Sequence, residues 1–140
     1  MKTSKLSVLL CGLLVATQGL VAAPVNLEPV PAAKSEIATE AYMLDAASAG
    51  KRIVAVGDHG VVLLSDDEGQ SFHQADQVPV SSLLTSVSFV DDTHGWAVGQ
   101  WGAVLATEDG GDSWRIQRID MEEDRPLFAV HFFNESEGVA

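Results

Sequence analysis

The chain has 140 residues, 46% of them hydrophobic, and its 20 acidic against 8 basic side chains give a formal charge of -12. That apolar share supports a packed fold rather than a disordered tail. The negative charge repels phosphate backbones and anionic membrane surfaces, which argues against nucleic acid or lipid headgroups as partners.

In chain order, Lys2 and Lys5 precede an apolar run from Leu6 to Val15, and small residues follow at Val21, Ala22 and Ala23. This is the pattern of a secretory signal over 1–23, too short and too interrupted at Thr17-Gln18-Gly19 for a spanning helix. Cys11, the single cysteine, falls inside it. After cleavage the chain would have no thiol, be still more acidic, and have no segment for membrane insertion. The expected location is periplasmic or secreted. Residues 24–41, with Pro24, Pro29 and Pro31, read as an extended leader or linker.

From 42 to 140 the sequence repeats. Val56-Gly57-Asp58-His59-Gly60 aligns with Val98-Gly99-Gln100-Trp101-Gly102 at an offset of about 42 residues, and Val87-Ser88-Phe89 with Val130-His131-Phe132. Each period holds four short apolar runs bounded by Gly, Asp or Asn, such as Ser86 to Phe89, Gly95 to Val98, Ala103 to Thr107 and Ser113 to Ile116. The expected fold is all-β, a β-propeller of four-stranded blades, with about two and a half blades at 42–83, 84–126 and 127–140. A closed ring needs more blades, so the sequence is expected to be an N-terminal piece of a longer protein.

The connection after the third strand carries the sharpest motif. Ser65, Asp67, Gly69, Ser71 and Phe72 match Thr107, Asp109, Gly111, Ser113 and Trp114 in the pattern S/T-x-D-x-G-x-S-W/F, the Asp-box or bacterial neuraminidase repeat. A carboxylate at the third position can accept N–H groups across the turn, glycine permits positive φ, and the aromatic packs between blades. A carboxylate so occupied stays ionised and cannot act as a general acid.

Phe89 to Trp114, reading F-V-D-D-x-x-x-G-W-A-V-G-x-x-G-x-V-L-x-T-x-D-G-G-x-S-W, resembles a blade of the photosystem II stability and assembly factor family, seven-bladed Asp-box propellers. The resemblance covers about 53–140. It implies a non-enzymatic scaffold that binds a membrane-complex subunit, in the thylakoid lumen of a phototroph, and equally fits service to another membrane complex elsewhere. The family implies an arginine-rich patch, whereas this chain has Arg52, Arg115, Arg118 and Arg125 only, with Met121-Glu122-Glu123-Asp124 between the last two. The alternative is an Asp-box glycoside hydrolase of the sialidase kind. Its arginine triad and tyrosine nucleophile are not found in these residues, the one tyrosine being Tyr42, so that reading expects them in further blades.

Strand order assigns the loops to faces. Both Asp-boxes and Asp91 to His94 fall on one face, and His59, Trp101, 75–82 and 117–126 on the other. Trp101 and the matching His59 are the candidate partner-binding residues, because the turn does not itself require a large aromatic. No catalytic residue, cofactor or metal is expected: His59, His73, His94 and His131 fall at four different blade positions, and Asp109 to Asp112 lack calcium-loop spacing.

Overall fold

The computed structural model describes residues 28–140. The expected signal segment, Cys11 and the first residues of the expected leader lie outside that range. No helix among the described residues is long and apolar enough to cross a membrane.

Among the described residues, ten strands form two antiparallel four-stranded sheets and one two-stranded sheet. The first sheet is β1 (Met43–Ala49), β2 (Arg52–Gly57), β3 (Val62–Ser65) and β4 (His73–Gln74), hydrogen-bonded in chain order. The second repeats it with β5 (Leu84–Phe89), β6 (Gly95–Gly99), β7 (Val104–Thr107) and β8 (Arg115–Arg118). The third pairs β9 (His131–Asn134) with β10 (Glu137–Val139). The repeat extends to irregularities, since the register slips between Met43 and Asp45 and again between Leu84 and Ser86. The fold is therefore all-β, built of propeller blades.

Period-two alternation sends side chains of one strand to two different neighbours. Val54, Val56, Val62 and Leu64 of the first sheet are fully buried and meet Val87, Ala97 and Leu105 of the second. Trp96 and Val98 point the other way, towards Val130 and Phe132, and the rings of Trp96 and Phe132 stack at 3.7 Å. Hydrogen bonds link the innermost strands. The Asp45 carboxylate accepts from Ser86 Oγ at 2.8 Å and from the Val87 N–H at 3.0 Å, and Ser86 Oγ accepts from the Val130 N–H at 3.2 Å.

Two local features differ from the sequence reading. The fourth strand of the second blade starts at Arg115, because the Ser113 and Trp114 N–H groups donate to Asp109 and to the Gln77 carbonyl instead of a neighbouring strand. The leader is not a free linker. Ala32 donates its N–H to the Val78 carbonyl, the Gln74 side chain bonds Ala33 and Ser35, and a 3-10 turn at Ala38–Glu40 lays Ala38 on Ala55, Val61 and Leu63.

Candidate functional site

Both Asp-boxes close by the same network. In the first, Asp67 accepts from Ser65 Oγ, from the Ser71 N–H at 2.8 Å and from Ser71 Oγ at 2.6 Å, while Gly69 donates its N–H to Ser65 Oγ. In the second, Asp109 accepts from Thr107 Oγ1 and from the Ser113 N–H and hydroxyl, while Gly111 donates to Thr107 Oγ1. The Ser71 hydroxyl and N–H hold the Asp67 carboxyl down at about 2. Burial opposes the same effect at Asp109, yet its donors, Ser113 foremost, still lower it. Both carboxylates are ionised turn-formers, which leaves neither a proton to give.

The copies differ where their surroundings differ. Gly110, at φ 74°, sits so close to the neighbouring loop that a Cβ would lie 2.9 Å from the Asp92 carbonyl oxygen. Its counterpart Glu68 takes φ 61° as a non-glycine residue. Trp114 is buried, edge-on to Phe89, with its Nε1 donating to the Gly111 carbonyl at 2.9 Å, whereas Phe72 is exposed.

Arg52 ties the two boxes together. Its guanidinium donates to both oxygens of Asp66, at 2.7 and 3.2 Å, and to Asp112 at 2.8 Å. These partners raise its pKa further above the usual range, against a smaller effect of burial. The neighbouring loop is closed by Asp91, which accepts from the Thr93 and His94 N–H groups, both at 2.7 Å, and bonds the His94 ring at 2.9 Å. Those backbone donors pull Asp91 well below the carboxylate range, and Asp91 in turn raises His94. Asp91, His94 and Glu135 bring potential ligand atoms within 4.8 Å of one another, a cluster the sequence reading missed because Glu135 comes from the turn between β9 and β10, in the next repeat. The Asp91 oxygens are already engaged by the turn, so the group is more simply a loop lock.

The opposite face is built on the Val-Gly-x-x-Gly turns. A Cβ on Gly57 would lie 2.1 Å from the Tyr42 carbonyl oxygen, on Gly60 2.0 Å from that of Val80, and on Gly99 2.0 Å from that of Leu83. Side chains are thus sterically barred there. The residue between takes the left-handed region, with His59 at φ 54° and Trp101 at φ 60°. His59 is exposed, its ring beside Asp58. Trp101 is half-buried, its carbonyl accepting from the Asp120 N–H at 2.8 Å. Trp101 lines a cleft of about 300 Å³ with Val80, Ile119 and Met121, and His59 lines a second of about 580 Å³ with Ile37, Ala41 and Tyr42. The two residues do not share one cleft, but the clefts adjoin at Val30 and Ser81.

Residues 73–140 match the family model described as photosynthesis system II assembly factor YCF48. That segment is similar to the photosystem II assembly factor family. The chain is also 36% identical over 54 residues to the photosystem II assembly lipoprotein Ycf48 of Synechocystis sp., covering 38% of this chain and 16% of that one. It is 34% identical over 85 residues to the Ycf48 lipoprotein of Picosynechococcus sp., covering 56% of this chain and 25% of the relative. A solved structure described as YCF48 bound to D1 peptide superposes with a TM-score of 0.61 at 26% identity, over 70% of this chain and 33% of that one. The chain thus spans a quarter or less of these curated relatives. It is similar to proteins named for assembly rather than for a reaction.

Proposed function

We propose that this chain is part of a non-enzymatic, extracytoplasmic assembly scaffold that holds a segment of a membrane-complex subunit on its Trp101 face. The observation that carries the reading is the likeness to the solved YCF48, a protein described as bound to D1 peptide. The two faces divide the labour. On one, Asp67, Asp109, Asp91 and Arg52 are spent on turns and on each other. On the other, Trp101 holds a positive φ that its turn would accept more easily from glycine, beside open clefts. In a phototroph the compartment is the lumen, and the partner is a reaction-centre subunit. Co-sedimentation of the full chain with detergent-solubilised reaction-centre core tests this. Trp101→Ala should reduce recovery and Glu68→Ala, on the Asp-box face, should not. Unchanged recovery with a folded Trp101→Ala variant defeats the reading.

A further inference from the structure

The partner's chemistry follows from what borders the Trp101 cleft. The floor is apolar, formed by Val80, Ile119 and Met121 around the indole. The rim is acidic. Glu28 lines the cleft, and the loop that supplies Ile119 and Met121 continues through Asp120, Glu122, Glu123 and Asp124. Asp120 accepts the Glu122 and Glu123 N–H groups, and Asp124 approaches the Trp101 N–H at 3.4 Å, so the loop is folded back on the tryptophan. Of the nearby positive charges, Arg125 pairs with Glu123, while Arg118 donates to the Gly102 carbonyl and keeps its charge. Ser82, in the cleft wall, has a buried hydroxyl without a hydrogen-bond partner among the described residues. On the far side of Val30 the cleft passes into the more apolar one lined by Ile37 and Tyr42, both exposed.

We infer that this face takes an extended peptide segment of the partner that carries positive charge next to apolar residues. The inference rests on reading the Trp101 face as the binding face, and adds the sign of the ligand. A lysine or arginine side chain can lie over the indole while the carboxylates of the 120–124 loop face its charge. An adjoining apolar residue reaches the Ile37–Tyr42 side. A carboxylate-rich segment would meet like charge along the 120–124 loop and be disfavoured.

Fluorescence anisotropy of the full chain with two short labelled peptides of equal apolar content, one lysine-rich and one glutamate-rich, decides it. The lysine peptide should bind, weaken as salt is raised, and lose about tenfold in affinity with Trp101→Ala and about threefold with Glu122→Lys. Glu122 has no side-chain partner among the described residues, and circular dichroism checks that both variants fold. If the glutamate peptide binds as tightly as the lysine peptide, or Glu122→Lys changes nothing, the inference is overturned. Tight glutamate-peptide binding that still depends on Trp101 would overturn the charge assignment alone and keep the face. Binding of both peptides unaffected by Trp101→Ala would overturn the face as well.

Discussion

Arg52 of the first blade donates to Asp112 in the Asp-box of the second at 2.8 Å, while the same guanidinium grips Asp66 of its own blade. One side chain therefore sets the spacing of two repeats on the face that carries both boxes. Removing it should loosen the blade interface without touching the apolar contact beneath. Arg52→Met, combined with Asp112→Asn in a double-mutant cycle under urea, should give a coupling of about 1 kcal/mol, since the pair is partly exposed and screened. Raised salt should reduce it. A coupling indistinguishable from zero at low salt would mean that the pair is incidental.

Gly99 allows a different kind of test. Its Cβ would lie 2.0 Å from the Leu83 carbonyl oxygen, backbone that cannot move without shifting β5. Gly99→Ala should destabilise the chain by more than about 3 kcal/mol, and often prevent folding. Gly69→Ala meets nothing closer than 3.7 Å and suffers only from its φ of 87°, so its loss should stay near 1 kcal/mol. Equal losses at the two positions would refute the steric account.

Trp114 and Phe72 occupy matching box positions with unequal burial, 6% against 37% exposed. Trp114→Ala removes the ring that meets Phe89 and the core between blades, and should lower stability by about 3–5 kcal/mol. Phe72→Ala should lower it by about 1 kcal/mol or less. The ratio, read from chemical unfolding, is the diagnostic quantity.

The Asp91–His94 lock predicts a pH dependence of known sign. His94 binds its proton more tightly folded than unfolded, so its contribution is full below about pH 6.5 and disappears as pH rises through the elevated folded value. The thermal midpoints of the wild type and His94→Ala should differ most in mild acid and converge in alkali. Asp67 works in the opposite sense. Its folded pKa of about 2 lies below its usual value of 3.8, so its stabilisation holds above 3.8 and is lost as pH falls through about 2. A wild-type–variant difference at His94 that is flat with pH would contradict the ion-pair geometry.

Much of this architecture was legible in the residues. The offset that lays Val56-Gly57 over Val98-Gly99 carries strand number and order, because each blade must repeat the same turns to bury the same faces. The Asp-box side chains announce their own hydrogen bonds, since Ser, Asp and Gly at those spacings can satisfy one another locally. Contacts between repeats were not legible. Nothing about Arg52 marks Asp112 as its partner, and Glu135 meets His94 only once the third sheet lies beside the second. The leader misled for a related reason. Its prolines suggest a linker, yet the amide of Gln74 and the Val78 carbonyl supply the partners that the leader does not offer itself.

The most direct test of the account compares the two faces in one experiment. A photo-crosslinking amino acid is placed at position 101 in one full-length chain and at position 68 in another, each incubated with the solubilised membrane complex. The account predicts an adduct to one subunit from position 101, mapped to a segment that is basic and apolar, and none from position 68. An adduct from position 68 alone would place the partner on the Asp-box face and contradict the central claim.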